Sequence, residues 1–169
     1  MPKAKYQFDD FLTTVTNDCK GLVTAVHEML LRDNYKPKIQ VTKSTGLQLS
    51  YHQPKIKTTR GIILIFFHRN EKLLIRICGS HYQSYPDVLE RLPKSIVRQI
   101  SQADNCVKFI DPQKCWKGCI GYDFHIGGKH YQKCAINGFQ FDVNAENMPY
   151  FLEIIKSENR ERSKASVIR

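Results

Sequence analysis

Four cysteines in the second half of the chain are the residues whose type and spacing most directly suggest chemistry. They are Cys106, Cys115, Cys119 and Cys134, which fall within 29 residues of each other. Zinc takes four thiolate or imidazole ligands in a tetrahedron. The short spacing between Cys115 and Cys119, with a glycine between them, allows two thiolates to reach one ion. We therefore predict a structural zinc site formed by these four cysteines.

Other interpretations of the same cysteines stay open, because the spacing is C-x3-C and not the commoner C-x2-C. Free cysteines are often buried in protein cores, so the four could be unrelated core thiols. His125 or His130 could replace one zinc ligand, or act as the base for a nucleophilic Cys115 or Cys119. Nearby lysines would lower the pKa of any thiol that they approached. These lysines are Lys114, Lys117, Lys129 and Lys133.

A second group of polar residues lies on predicted strands. Arg76 is flanked by two isoleucines, Arg69 follows an apolar run, and Tyr51 belongs to a Ser-Tyr-His triplet. The planar guanidinium group can bind a carboxylate or phosphate through two hydrogen bonds. An arginine on a sheet more often forms an ordinary salt bridge or extends to water. On the first interpretation, Tyr51, Arg69 and Arg76 are the predicted ligand-binding residues for a small molecule or anion.

The chain is strongly basic, and its charge is unevenly distributed. It carries 26 Lys and Arg against 16 Asp and Glu, a net charge of +10, and residues 34–70 contain seven basic side chains and no acidic one. Such a surface attracts polyanions, most commonly nucleic acid, although it can also serve only solubility. The predicted nucleic-acid contacts are Lys36, Lys38, Lys43, Lys55, Lys57 and Arg60.

Several classes of protein are disfavoured by what the sequence lacks. The longest apolar run, residues 62–67, is far shorter than the roughly 18 residues of a membrane span, and the N-terminal residues do not resemble a signal or transit peptide. We therefore expect a cytoplasmic protein with reduced thiols and no membrane partner. No glycine-rich phosphate loop and no paired-carboxylate site is evident. Neither a glycosidase nor a magnesium-dependent nuclease is indicated.

The apolar periodicity predicts an α+β fold. Steps of three and four indicate a helix from Phe8 to Leu31, and a closing helix is expected over 145–158. Residues 62–67 are apolar at every position, as in a central strand. Further strands are expected at 38–42, 47–52, 73–78, 106–110, 122–126, 130–136 and 139–143, with short helices at 87–92 and 95–103. Strands without βα alternation predict a mainly antiparallel sheet packed against N-terminal, middle and C-terminal helices.

This pattern fits one α+β domain over residues 1–160, with the cysteine-bearing segment 104–143 as a subregion and a basic flexible tail over 161–169.

Part of the sequence resembles a known family. The resemblance is carried by Leu49-Ser50-Tyr51, the apolar strand ending in Arg69, Leu74-Ile75-Arg76-Ile77 and Tyr85…Leu89…Leu92-Pro93. These stretches resemble uncharacterised bacterial proteins of the YdhG/YjbR-like kind, in which a small antiparallel sheet packs against helices. The likeness covers residues 8–103, and the cysteine-rich second half departs from it. It implies a fold and no particular activity.

Three functional hypotheses follow, in order of preference. The first is a non-enzymatic binding or interaction module with a basic surface and a structural zinc, for which nucleic acid is the partner to test first. The second is an α+β domain that binds a small molecule or anion. The third is a thiol-dependent enzyme, which ranks last because no motif in the sequence specifies a reaction.

Overall fold

The computed structural model describes residues 6–54, 56 and 61–167. Three predicted nucleic-acid contacts, Lys55, Lys57 and Arg60, lie outside these residues. The described part contains five helices and seven strands. The helices are α1 (Phe8–Leu12), α2 (Asn17–Arg32), α3 (Pro86–Glu90), α4 (Lys94–Gln102) and α5 (Met148–Val167). The strands are β1 (Lys36–Thr42), β2 (Gly46–His52), β3 (Ile62–Arg69), β4 (Lys72–Ile77), β5 (Tyr122–Ile126), β6 (Lys129–Lys133) and β7 (Gln140–Asp142).

The predicted α+β class with a mainly antiparallel sheet is confirmed. The larger sheet has the strand order β1-β2-β3-β4-β7, and β5 and β6 form a separate antiparallel hairpin. The chain divides into two compact units: unit 1 is Met1–Arg76 with Asp142–Pro149, and unit 2 is Ile77–Phe141 with Tyr150–Arg169. The single domain expected over residues 1–160 stays a prediction. Within the described part of the chain, no helix is long and apolar enough to cross a membrane.

The N-terminal helical pattern forms two helices, so the prediction of one continuous helix is wrong. The break lies between α1 and α2, where three threonines follow Leu12. The hydroxyl of Thr13 donates to the carbonyl of Asp10, and that of Thr14 donates to the carbonyl of Phe11, both at 2.7 Å. Such side-chain bonds to the backbone compete with helix propagation. The apolar stripe of α2 is buried as expected, and it includes the core thiol Cys19.

The central strands of unit 1 match their sequence patterns. In β3, residues 63–67 are all buried, as expected for a strand covered on both faces. A two-residue turn then reverses the chain into β4. Asn70 and Glu71 both have positive φ, at 49° and 62°, which is the conformation of a type I′ hairpin turn. In β4 the buried positions alternate from Leu73 to Ile77, so the predicted hairpin partner is confirmed.

Unit 2 is built around an aromatic core. Tyr82 stacks on Phe139 with ring centroids 4.1 Å apart, and Tyr122 and Phe124 contact both rings edge-on or tilted. The β5–β6 hairpin turns through Gly127 and Gly128, both at positive φ, where a side chain would be strained.

Two further segments of unit 2 differ from their predictions. The strand expected over 106–110 is instead a 3₁₀ turn at Val107–Phe109. Among the described residues, the only β-bridge beside it joins Asn105 to Lys133. Residues 106–110 therefore have no continuous strand pairing that would make them a strand. Helix α5 continues to Val167, and residues 161–167, expected as a tail, are therefore helical. The physical reason is a buried pair one helical turn apart, Glu158 with Arg162, at 2.8 Å.

Candidate functional site

The two faces of the sheet in unit 1 differ in chemistry. Helix α2 lies against the face that carries Tyr51, whose hydroxyl is 2.8 Å from Nδ1 of His27. Side chains alternate between faces along a strand, so Ser50 and His52 lie on the opposite face. Lys38 is the cross-strand partner of Ser50, and Lys36 is the partner of His52. Both lysines therefore lie on the face opposite α2.

Two arginines belong to this same face. Ile65 is paired with Ser50, and Phe67 follows two residues later, so the Phe67 ring lies on the same side. The guanidinium groups of Arg69 and Arg76 both lie over that ring, at 5.5 Å and 5.4 Å from its centroid. A cation over an aromatic face is attracted by the ring quadrupole. We call this set the cationic face; its charged members are Lys36, Lys38, Arg69 and Arg76, and His52 lies beside them.

The cationic face has no built-in counter-ion. Strands β1 to β4 contain no acidic residue, and among the described residues none of the lysines or arginines of this face forms an ion pair. Lys36, Lys38 and Arg69 are exposed. Burial lowers the pKa of His52, and the charge of Lys38 lowers it further, so the neutral imidazole is favoured. The face therefore presents the charges of Lys36, Lys38 and Arg69 to solvent.

Arg76 is the most unusual member of the cationic face. Its Nε is buried and has no hydrogen-bond partner among the described residues. Buried polar atoms are almost always paired in folded proteins, so an unpaired guanidinium nitrogen calls for an explanation. A bound acceptor, such as a phosphate or carboxylate oxygen, is one explanation that the chemistry of the group allows.

The structure separates the predicted ligand-binding residues. Tyr51 is fully buried on the α2 side of the sheet, and burial raises the pKa of its hydroxyl. Arg69 and Arg76 lie on the other side. No single site containing all three residues is formed. Lys43, another predicted nucleic-acid contact, is exposed in the turn between β1 and β2.

The cysteine cluster brings three of the predicted ligands close together. Desolvation raises the pKa of the Cys115 thiol, and a hydrogen bond with the Cys119 thiol and the proximity of Cys106 raise it further. Cys134 lies on a neighbouring segment, where its backbone N–H donates to the Asp104 carbonyl at 2.9 Å. All six cysteines are free. In the described part of the chain, no group of three or more His, Cys, Asp or Glu side chains is arranged to hold a metal ion.

The groups expected to assist the cysteines have other partners. The rings of His125 and His130 stack 4.6 Å apart on the β5–β6 hairpin, and His130 binds Asp123 at 2.7 Å. The ammonium group of Lys133 donates to the carbonyls of Ser101 and Ala103 at the end of α4. Desolvation and the neighbouring thiols raise the pKa of Cys115, which does not favour the thiolate form that thiol catalysis uses.

A buried carboxylate that the sequence analysis did not identify lies in unit 2. Glu158 is fully buried and accepts bonds from the backbone of Ser80 and His81, the His81 ring, the Tyr85 hydroxyl and Arg162, at 2.8 to 3.1 Å. Burial alone would raise the pKa of Glu158, but the His81 hydrogen bond and the Arg162 charge outweigh it and lower the pKa to about 2. The i, i+4 spacing of Glu158 and Arg162 in the sequence indicates a helical ion pair. No sequence pattern indicates that Glu158 also binds the loop at residues 80–85.

Comparison of the chain with models of protein families, with curated proteins and with solved structures finds no match. The resemblance to YdhG/YjbR-like domains therefore stays a prediction.

Replacing Glu158 tests whether this carboxylate holds unit 2 together. In Glu158→Gln the buried Arg162 loses its ion pair with residue 158, so we expect the free energy of unfolding in urea to fall by about 3–5 kcal/mol. The matched control is Glu153→Gln on the same helix, whose pair with Lys156 is exposed; it should cost less than about 1 kcal/mol. Equal losses in the two variants would contradict a special role for Glu158.

The lowered pKa of Glu158 predicts that the protein loses folding stability in acid. Because the folded-state pKa of Glu158 is lowered from 4.5 to about 2, its contribution is complete above pH 4.5 and is lost as the pH falls towards 2. The hydrogen bond to Glu158 raises the pKa of His81. The contribution of His81 to stability is therefore complete below pH 6.5 and is lost as the pH rises through the raised pKa of His81. Melting temperatures from pH 7 to pH 2 should fall less steeply for Glu158→Gln than for the unmodified protein.

Proposed function

We propose that the protein is a non-enzymatic module that binds nucleic acid through the cationic face. The observation that supports this proposal is the placement of Lys36, Lys38, Arg69 and Arg76 on one side of a sheet whose first four strands carry no carboxylate. Lys36 and Lys38 lie two residues apart on an extended strand, roughly 7 Å. Exposed cations on one face can neutralise successive phosphates of a nucleic-acid backbone.

A simpler explanation covers only part of this arrangement. Strand β1 is at the edge of its sheet, and edge lysines protect proteins against edge-to-edge association. That role accounts for Lys36 and Lys38. It does not account for Arg69 and Arg76, which belong to interior strands and share one aromatic ring. Polyanion binding accounts for all four.

The salt dependence of binding tests the nucleic-acid proposal. Each phosphate neutralised by a lysine releases counterions, so affinity for a labelled oligonucleotide should fall steeply with salt. In the double variant Lys36→Ala and Lys38→Ala, the slope of log K against log salt should flatten by roughly one unit per lost contact. The control removes two exposed lysines of α5, Lys156→Ala and Lys164→Ala, with the same change in net charge. If both double variants weaken binding equally, the attraction is nonspecific and the proposal fails.

A second candidate function is the binding of a small anion between Arg69 and Arg76. The unpaired buried Nε of Arg76 favours it. Two guanidinium groups over one ring repel each other, and an anion between them would offset that repulsion. Such a site would be local, whereas nucleic-acid binding would also use the lysines of β1.

Thermal stabilisation by inorganic phosphate separates the two functions. A ligand that binds only the folded state raises the melting temperature as its concentration exceeds the dissociation constant. If Arg76 holds a small anion, phosphate should raise the melting temperature, Arg76→Ala should abolish the rise, and the Lys36 and Lys38 double variant should retain it. Stabilisation that persists in Arg76→Ala would contradict the anion site.

We also propose a structural zinc ion at Cys106, Cys115, Cys119 and Cys134. The proximity of the first three thiols supports the choice of ligands, and so does the position of Cys134 beside Asp104, two residues before Cys106 in sequence. Thiolate ligands bind zinc strongly, and in such sites the binding energy contributes to folding.

Metal content tests the zinc proposal directly. Protein purified without added metal should contain about one zinc per chain. Cys115→Ser and Cys119→Ser should each release the metal and lower the melting temperature. Cys19→Ser is the control, because this thiol is in unit 1, where it donates to the Val143 carbonyl, and its loss should leave the zinc in place. Metal-free protein, together with unchanged stability in the Cys115 and Cys119 variants, would rule the site out.

A further inference from the structure

An apolar surface lies on the segment 106–121, between α4 and β5. Four large apolar side chains of this segment are exposed, by 39% to 79% of their area. They are Val107, Phe109, Ile110 and Trp116. Exposed apolar patches on a protein surface often mark binding sites. The indole of Trp116 is 63% exposed and is the single tryptophan of the chain.

Glycines position the two aromatic rings. A Cβ atom added to Gly118 would lie 2.4 Å from Cζ2 of Trp116, so the indole rests directly against the glycine backbone. Phe109 lies in the same way against Gly121, where an added Cβ would lie 2.6 Å from the ring. Gly121 has a positive φ of 67°, which disfavours a side chain there in any case. Each ring therefore rests against a glycine, with 63% of Trp116 and 39% of Phe109 exposed.

The charge around these rings is positive. The segment contains three lysines and one acid, a net charge of +2. Lys117 follows Trp116 directly and is exposed. Lys114 is also exposed and pairs with the acid, Asp111, at 3.2 Å. Lys108 donates to the carbonyl of Cys119, which fixes it inside the segment. An exposed aromatic ring next to exposed lysines is suited to a ligand that is both flat and anionic.

We propose that Trp116 and Phe109 form a stacking platform for the bases of single-stranded nucleic acid, with Lys117 and Lys114 beside its phosphates. This inference rests on the proposed function and specifies its ligand. Unpaired bases stack on aromatic side chains without regard to sequence, whereas bases in a duplex keep their faces covered by neighbouring pairs. The positive charge favours this ligand over an apolar protein partner, which would depend on Ile110 as much as on Trp116.

Because Trp116 is the single tryptophan, its fluorescence reports on this platform alone. We expect a short single-stranded oligothymidylate to quench Trp116 fluorescence, and a duplex of equal length to have little effect. Free N-acetyl-tryptophanamide, titrated in parallel, corrects for light absorbed by the nucleic acid. In the same samples, the anisotropy of a labelled strand measures total binding.

Three variants complete the experiment. Trp116→Ala should weaken binding of the single strand by about tenfold, the loss of one stacked base. Trp116→Phe should keep most of the affinity, and Ile110→Ala should keep all of it. Binding of the strand without quenching, or with equal affinity for the duplex, would overturn the platform and leave the proposed function standing. An equal loss in Ile110→Ala would identify a general apolar surface and also overturn it. Absence of any anisotropy change would overturn the proposed function itself.

Discussion

Unit 2 depends on one buried carboxylate. Glu158 lies on α5, and the backbone N–H of Ser80 that it binds is 78 residues earlier in the chain. An ionised carboxylate without partners would cost several kcal/mol in a protein interior, so the segment that includes Ser80 and Tyr85 is held against the helix. Arg162 extends the connection, since it binds both Glu158 and the carbonyl of Cys78. This arrangement fixes the entry to the loop that carries Tyr82 into the aromatic core.

In unit 1 the equivalent constraint is the alternation of side chains along strands. One face of the sheet packs against α2, and the opposite face carries the alternate side chains, which include the buried Ile65 and Phe67 as well as the basic residues. The charged residues of this second face are all basic, since strands β1 to β4 contain no acidic residue. The cationic face is thus a direct consequence of composition combined with sheet geometry. Phe67 supports two of its members, Arg69 and Arg76, by contact with their guanidinium groups.

The cysteine-bearing segment combines two features whose origins differ. Its thiols lie near one another because the chain turns tightly between Cys106 and Cys119, with Gly118 and Gly121 making room for the rings of Trp116 and Phe109. The same turns leave those rings exposed. A metal ion at the thiols would make the segment more rigid, and a rigid ring binds a flat ligand at a lower entropic cost.

The local pattern of the sequence determined the α+β class, the central strand β3, its hairpin with β4 and the buried stripe of α2. Each depends on neighbours along the chain, so periodicity and turn chemistry were sufficient. Which polar residues lie together was determined by tertiary packing. Tyr51 and Arg76 looked like members of one group, but strand alternation places them on opposite faces of the sheet. The loop partners of Glu158 could not be predicted either, because a contact between residues 78 positions apart does not affect the local sequence pattern. Tertiary structure alone determines which distant polar groups meet, since that depends on how each element buries its apolar surface.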